Sequence, residues 1–451
     1  MKKIIAILLA AIMVLAMAAC GSTTSTDNPA TSTTSSTTST SSGTGSQTGA
    51  DPVPTGNVTI EFANYALTEA GYTEFWNGVK SGFEEKYPNI KIDYVTAPYG
   101  EIVNQVINTA ASGQKVDLMF GEISWIPTLQ DAGLSVPVDT VVNKDFLNGI
   151  IPNIMDAMKV DGKPYAVPMN VSPFLLYYNK DLFTQAGLDP NKPPKTYDEM
   201  LQMADKLSKL KTKDGNKVYA FGQTTASVPI SGSSLTAMVK NFGGNVLTAD
   251  GKMDVDNQGF KDAFNMLRLL NEKGYNPQNA KLKDLRNLFA LGQLAMYYDQ
   301  SWGFNGVSSI NPDAKNFTAS AAPLSGGSGS GESLLQASVL MTMDNGDQQR
   351  QATNLLVQYI LSKDELNKYL TVDPGYSAVE SMKDLDVIVN NPITKGAADS
   401  LTKTTQIAFI PKLNDFNLEL TKLAQDITLG GKSVDDAIAS FKKAAGALVN
   451  K

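Results

Sequence analysis

The 451-residue chain has no histidine, one cysteine and three arginines. Each shortage removes a kind of chemistry. Without histidine there is no Ser-His or Cys-His nucleophile, and the commonest transition-metal ligand is missing. Cys20 is the sole thiol, so no intrachain disulfide forms and the fold must stand on its core. Arg268, Arg286 and Arg350 are few for a phosphate or dicarboxylate ligand, which favours bidentate guanidinium clamps. Basic charge is short as well: 38 Lys and Arg face 45 Asp and Glu, a formal charge of −7. A nucleic-acid partner needs basic stripes to displace counterions, and this balance argues against one. What is present, 42% hydrophobic and 18% charged residues, suits a globular protein, and the length exceeds one ordinary core.

The first residues read as an address. Lys2 and Lys3 precede Ile4 to Ala19, a run without charge or proline that is short for a membrane span and suits a signal-peptide core. It ends Met17-Ala18-Ala19-Cys20-Gly21, which resembles a bacterial lipobox with Met where Leu is preferred. The resemblance implies a signal peptide over 1–19 and a lipid on Cys20, which becomes the mature N-terminus on the outer face of the cell membrane. Loss of the two lysines takes 38 basic residues to 36 against 45 acidic ones, a charge of −9. The alternative is an ordinary secretory signal and a buried free thiol. Ser22 to Gly49 is nearly all Ser, Thr and Gly. It has too little apolar surface to offset its ordering entropy, so residues 20–56 read as a disordered tether.

From Asn57 the texture changes. Val58–Phe62 alternates as a strand. Thr68 to Tyr87 carries Phe75, Trp76, Val79 and Phe83 at helical spacing, and Pro88 stops it. Ile90–Val95 is a second strand, Tyr99 to Ala111 a helix and Val116–Phe120 a short buried strand. This alternation predicts an α/β lobe with a mostly parallel sheet. Later, Ala166–Met169, Leu175–Tyr178, Leu294–Tyr298 and Leu335–Met343 read as strands. Thr196-x-x-Glu199 is a capping box, and Asn257 to Lys273 is a helix. Gly326–Gly331 reads as a flexible surface loop.

Few constellations carry chemistry. Asp254, Asp256 and Asn257 fit a turn, a strand and an N-cap better than a calcium loop, which needs a glycine and a distal Glu. Tyr177-Tyr178 and Tyr297-Tyr298 keep ferric iron in view, although strand neighbours face opposite sides and one Tyr of each pair is expected in the core. Glu122 and Asp299 are carboxylates at strand ends, where α/β sites form, and as a pair they would also suit a glycosidase acid and base. Trp76 lies on an apolar helix face and is a core residue. Trp125 is a candidate for either core or site. Trp302 sits in the turn Asp299-Gln300-Ser301-Trp302-Gly303 just after a strand, where a large aromatic offers a ligand platform. No catalytic residue, cofactor or metal site is assigned.

Phe83-Glu84-Glu85-Lys86-Tyr87-Pro88-Asn89-Ile90-Lys91-Ile92 looks like a helix-to-strand junction of a known family. Lys163-Pro164-Tyr165-Ala166-Val167-Pro168 follows, then Leu176-Tyr177-Tyr178-Asn179-Lys180-Asp181-Leu182-Phe183. Pro194-Lys195-Thr196-Tyr197-Asp198-Glu199 and Phe289-x-x-Gly292-Gln293-x-Ala295-Met296, with Trp302 beyond it, complete an ordered set. The set resembles extracellular solute-binding family 1 of ABC importers, which includes the maltodextrin receptors. The resemblance implies a two-lobed α/β fold of the periplasmic-binding-protein type (type II), ligand in the cleft and hinge closure around it. It implies lobes of residues 57–170 with 336–375 and of 171–335 with 376–451, crossing near Val167–Ser172, Leu334–Ala337 and Asp373–Tyr376. Trp302 falls on the family's stacking Trp, with Asp299 beside it. Asn64, Tyr65, Glu122 and Trp125 fall on the opposite lobe's contacts, Asn170 on the hinge, and Gln336 and Tyr376 on the other crossings. Asn417 stands where maltodextrin receptors place a further stacking Trp, a departure that bears on the identity of the sugar. The implied partners are a carbohydrate, the subunits of an ABC permease and the membrane through the lipid; the receptor is expected to be a monomer. Ferric iron, polyamine or peptide ligands, and a secreted glycosidase, are the alternatives.

Overall fold

The computed structural model describes residues 51–449 apart from Ala70 and Ala397. The signal segment, Cys20 and the Ser/Thr/Gly stretch to residue 50 lie outside the described residues. Residues 51–56, expected as the end of a tether, are bonded to the first lobe. Asp51 accepts from Asn143 Nδ2 at 2.6 Å and Gln358 Nε2 at 2.8 Å, and Asn89 donates to the carbonyls of Pro54 and Gly56.

In chain order the main elements are β1 (Val58–Asn64), α1 (Thr73–Lys86), β2 (Ile90–Val95), α2 (Ile102–Ala111), β3 (Leu118–Glu122), β4 (Val167–Pro173) and β5 (Leu175–Asn179). Next come α3 (Tyr197–Leu207), α4 (Pro229–Asn241), α5 (Gln258–Glu272), α6 (Leu282–Ala290), β6 (Met296–Asp299), α7 (Gly303–Ile310), β7 (Thr318–Ala321) and β8 (Ser333–Thr342). The chain closes with α8 (Asp347–Ile360), α9 (Lys363–Val372), β9 (Tyr376–Ser377), α10 (Leu413–Thr428) and α11 (Val434–Val449). Local chemistry explains most of them. Val58, Ile60 and Phe62 alternate inward along β1, and α1 buries its stripe of Phe75, Trp76, Val79 and Phe83. The helix begins later than Thr68 because Gly71 adopts φ 93°, which ends a short 3₁₀ turn over Tyr65–Thr68 before α1 can start. The box at Thr196 forms as read: Thr196 Oγ1 accepts from Glu199 N at 3.1 Å, while Glu199 accepts from Lys195 N.

The larger sheet runs β9-β4-β8-β3-β1-β2. Along this path only β2, β1 and β3 pair in parallel; β8 is antiparallel to both β3 and β4, and β9 to β4, while a short strand at Thr404–Thr405 joins the start of β8 in parallel. The sheet is therefore not mostly parallel. Its far half is made of strands that arrive from or leave for the second lobe, so their directions are set by the crossings rather than by strand-helix-strand units. The smaller sheet, β6-β5-β7, is antiparallel, and residues 219–222 run beside β6 in the parallel sense through bridges Tyr219–Leu294 and Gly222–Tyr297.

Two main cores divide the chain. One gathers residues of 58–171 and 335–388, the other residues of 174–334 and 407–445, with a smaller apolar cluster around Tyr177, Leu285, Phe289 and Ile393. The chain passes between cores within β4, within β8 and between Ile388 and Ile393. Tyr376, Ala378, Val379 and Ile388 pack in the first core, because β9 pairs with β4 there. The third crossing thus lies beyond the expected Asp373–Tyr376. The glycine-rich loop 326–331 is also more confined than expected: Gly326 N donates to Asn241 O at 3.1 Å, and a side chain at Gly329 would overlap that carbonyl.

Candidate functional site

In an α/β lobe the carboxyl ends of parallel strands, and the helices that start there, face the same edge. In the first lobe that edge carries Asn64 at the end of β1, Glu122 at the end of β3, and the turns after them. Tyr65 stacks on Phe120 with centroids 5.6 Å apart and meets Tyr99 and Trp125 edge-on at 5.2 and 5.5 Å. Tyr99 Oη donates to Glu122 Oε2 at 2.7 Å. Trp125 is 4% exposed and packs on Gly121, so it is a wall of this aromatic box and part of the first core. Asn64 spends Oδ1 on the Ala66 amide and leaves Nδ2 buried without a partner.

At the crossing strands, Asn170 Nδ2 donates to the carbonyl and carboxylate of Asp373, and its Oδ1 is buried and unpartnered. Asp373 also accepts from Tyr72 and Tyr369, the latter at 2.7 Å. Gln336 is buried on β8 with Nε2 turned back to Leu335 O. Tyr376 is buried, its hydroxyl donating to Thr394 O at 2.6 Å.

In the second lobe the same logic places residues 223–225, the start of α4 and the turn 299–303 on one edge. The turn is held from several sides. Tyr177 Oη donates to the carbonyls of Gln300 and Ser301, and Ser301 N donates to Ser172 Oγ on β4 at 2.9 Å. Asp299 is 0% exposed and accepts from Arg286 Nε and Nη2, both at 2.7 Å, from Tyr297 Oη and from Gln300 N. All its acceptor positions are used. Asp299 is therefore not a free ligand-bonding carboxylate, nor the partner of Glu122 in an acid–base pair; it fixes the turn. Trp302 stands at the start of α7, partly exposed, outside all three apolar clusters.

Some of the buried polar atoms without partners lie on these edges: Gln223 Oε1, Thr225 Oγ1, Gln300 Oε1 and Ser301 Oγ in one lobe, Asn64 Nδ2 and Asn170 Oδ1 in the other half of the cleft. Such atoms are costly in a native protein unless a ligand or water completes them. Asn417 is 2% exposed on α10 and packs against Gly232 of α4; its Nδ2 donates to Ser233 Oγ at 3.4 Å and its Oδ1 is buried without a partner. All four residues of the two tyrosine pairs are buried, and Tyr177 and Tyr297 spend their hydroxyls within the protein. Asn257 caps α5, and Asp256 pairs with Lys442.

The charges oppose one another across the lobes. Burial pushes the Glu122 carboxyl up to about 7; the Tyr99 hydrogen bond and Arg286 act against this, and the negative charge of Asp373 adds to it. Burial also raises Asp373, with Tyr72, Tyr369, Asn170 and Arg286 pulling the other way. A carboxyl raised on folding stabilises the folded chain fully below its ordinary range and loses that contribution as pH climbs through the raised value. Ligand-free protein should therefore lose stability between pH 5 and 8, and Glu122→Gln should remove on the order of 2 kcal/mol of that loss. Urea unfolding of both proteins across this range reads the difference; parallel curves would mean that Glu122 titrates as an ordinary solvated carboxylate.

Asp373, Tyr72, Tyr369 and Arg286 were not singled out from sequence. Asp373 entered only as the start of the crossing Asp373–Tyr376 that the resemblance implied, not as a site residue. Arg286 had a signal: it sits among the buried Leu282, Leu285 and Phe289 of α6, where a lone cation needs a partner. A surface groove of about 450 Å³ elsewhere on the first lobe is lined by Glu61, Lys115 and Asp117 among others. Asp117 there already accepts from Glu61 N and Asn345 Nδ2, and none of the cleft residues above lines it.

Residues 79–396 match the family described as bacterial extracellular solute-binding protein. A putative binding protein of Brucella abortus (strain 2308) is 24% identical over 406 residues, covering 89% of this chain and 95% of its own. A maltotriose-binding protein of Pyrococcus abyssi (strain GE5 / Orsay) is 23% identical over 335 residues, 72% of this chain and 68% of its own. The structure of an ABC transporter solute-binding protein from Thermotoga lettingae TMO, bound with alpha-D-tagatose, superposes with a TM-score of 0.76 at 22% identity. It covers 87% of this chain and 100% of that one.

Proposed function

Because this chain belongs to the bacterial extracellular solute-binding proteins, we propose that it captures a carbohydrate, an oligosaccharide, between its two lobes and delivers it to the permease of an ABC importer. The observation that carries this reading is a partly exposed indole, Trp302, on a braced turn next to Gln300 and Ser301, which hold unpartnered buried polar atoms. A flat apolar face for sugar C–H groups with hydrogen-bonding groups around it is what a sugar site requires. The sugars named for the Pyrococcus and Thermotoga proteins support the same class. Binding needs no nucleophile. The test is a thermal-shift screen of mono- and oligosaccharides, since a ligand of the native state raises the melting temperature. A screen in which no sugar shifts the melting point, while an iron complex, polyamine or peptide does, would move the protein to another ligand class.

Two further parts of the proposal concern setting and motion. Cys20 is lipidated and holds the receptor on the outer membrane face through the stretch before Asp51. Cys20→Ala should release the protein into the medium; a processed variant that stays with the membrane fraction would refute the anchor. Ligand favours a closed arrangement by contacting both lobes at once. Small-angle scattering should show a smaller radius of gyration with saturating ligand, and an unchanged radius with a bound sugar would mean a rigid site.

A further inference from the structure

Two of the chain's passages between the cores fall side by side. On β4, Val171 is the last side chain of the first core and Phe174 the first of the second; on β8, Leu334 packs in the second core and Leu335 in the first. The register sets Leu335 opposite Pro173 and Gln336 opposite Ser172. Ser172 and Pro173 belong to neither core. The strand is irregular just before them: Ser338 opposes Asn170 but Val339 opposes Pro168, and a bulge of this kind, at Met169, bends a strand. Pro173 has no N–H to give to the ladder. Both crossing strands thus change lobes on one line through Ser172–Pro173 and Leu334–Leu335. On that line lies a bond to the turn of Trp302. Ser172 is 0% exposed; its Oγ donates to Pro173 O and accepts from Ser301 N, both at 2.9 Å. Ser301 is 0% exposed as well, and this is its amide's one bond among the described residues. The other ties of the turn, from Tyr177 Oη and Asp299, come from within the second lobe.

We propose, on the premise that the lobes turn about these crossings to hold a sugar, that Ser172 is a positioning residue. It fixes the turn of Trp302 to the crossing strand at the pivot itself, so the platform is set before a ligand arrives and stays set as the lobes close. A bond on a rotation axis hardly changes length when the two bodies turn, whereas one far from the axis is stretched. A hydroxyl suits the place because it donates along its own strand and accepts from the turn at once. Without it the Ser301 amide is a buried donor with no acceptor, and the turn loses its tie to the strand. Trp302 follows Ser301 directly, and Gln300 Oε1 and Ser301 Oγ, buried and unpartnered, belong to the same turn. Ordering the turn would then fall to the ligand and weaken binding. Ser172 has no exposed surface with which to touch a ligand, so it acts only through the turn.

The test compares wild type with Ser172→Ala, and with Ser172→Thr and Ser172→Val, which share a shape and differ in the hydroxyl. Hydrogen exchange at the Ser301 amide, and fluorine NMR of fluorotryptophan-labelled protein assigned through Trp302→Ala, read the turn without a ligand. Exchange should be at least about tenfold faster in Ser172→Ala and Ser172→Val and return to near the wild-type rate in Ser172→Thr. The Trp302 resonance should shift or broaden in the same two variants, while those of Trp76 and Trp125 stay in place. Calorimetry with maltotriose, or with whichever sugar raises the wild-type melting temperature, should show an affinity about tenfold lower without the hydroxyl and within about threefold of wild type in Ser172→Thr. Unchanged exchange and an unchanged Trp302 line in Ser172→Ala would overturn the proposal. So would equal shifts of all three tryptophans, which would make Ser172 an ordinary packing residue, or a normal affinity in a variant whose turn is loosened. Faster exchange at Ser301 of wild type with the sugar bound would mean that closure breaks the bond, and the pivot placement would be wrong. A brace seen in exchange and in the spectrum, with no sugar bound by wild type, supports Ser172 as the tie of the turn and refutes the sugar reading alone.

Discussion

Arg286→Met is expected to destabilise the ligand-free protein by about 3–5 kcal/mol, the cost of leaving one partner of a buried ion pair alone. Asp299 is 0% exposed, and Arg286 supplies two of its four hydrogen bonds, both at 2.7 Å. Tyr297 and the Gln300 amide would remain, which are too few donors for a carboxylate with no access to water. Met keeps most of the aliphatic length, so lost packing on α6 contributes little. The effect should reach the ligand as well, since Asp299 anchors the turn that carries Trp302. Urea unfolding gives the stability change, and a double-mutant cycle identifies its cause. Arg286→Met with Asp299→Asn should recover more than half of the loss, because the uncompensated charge is gone. If the double variant is less stable than Arg286→Met alone, the cause is packing and not charge.

Trp302→Ala should weaken sugar binding by about 2 kcal/mol or more, roughly thirtyfold, and leave the ligand-free melting temperature nearly unchanged. The turn around it is fixed without it: Tyr177 holds the carbonyls of Gln300 and Ser301, Ser172 holds the Ser301 amide, and Asp299 holds the Gln300 amide. The indole belongs to none of the apolar clusters, so its removal opens no core cavity. A platform held rigid by its neighbours binds without ordering cost at the moment of contact. Calorimetry on both proteins separates the possibilities. A large drop in melting temperature would place Trp302 in the core. Unchanged affinity in a folded variant would put the platform elsewhere, and Trp125, already enclosed by Tyr65 and Tyr99, would be examined next.

Much of the fold was legible because it rests on local periodicity. The alternation of Val58, Ile60 and Phe62, the stripe from Phe75 to Phe83 and the cap at Thr196 each depend on a few adjacent residues, and each forms in the structure. The errors fall where distant segments meet. Gly71 delays α1 by its backbone, but strand pairing sets the rest. β8 pairs β3 with β4 in the antiparallel sense, and β9 stays with the first core. Sheet direction and lobe membership are properties of contacts between residues far apart in the chain, and a single sequence does not display them.

The candidate site divides in the same way. Strand-end position and residue type alone pointed to Glu122, Trp125 and Trp302, since carboxyl edges of α/β sheets and aromatic turns are local features. What each side chain does there was decided by its partners. Asp299 looked equivalent to Glu122 in sequence, yet one is locked by Arg286 and the other holds an unbonded oxygen beside Tyr65. Asn417 aligned with a platform and is instead a buried amide with one oxygen unpartnered. Composition determined that this chain would act without histidine, disulfide or thiol chemistry in its folded part, because an absent residue cannot be supplied by folding. Tertiary structure decided which of the surviving polar groups are spent inside the protein and which are left for a ligand, because hydrogen bonds and charge pairing depend on distances that only the folded chain sets.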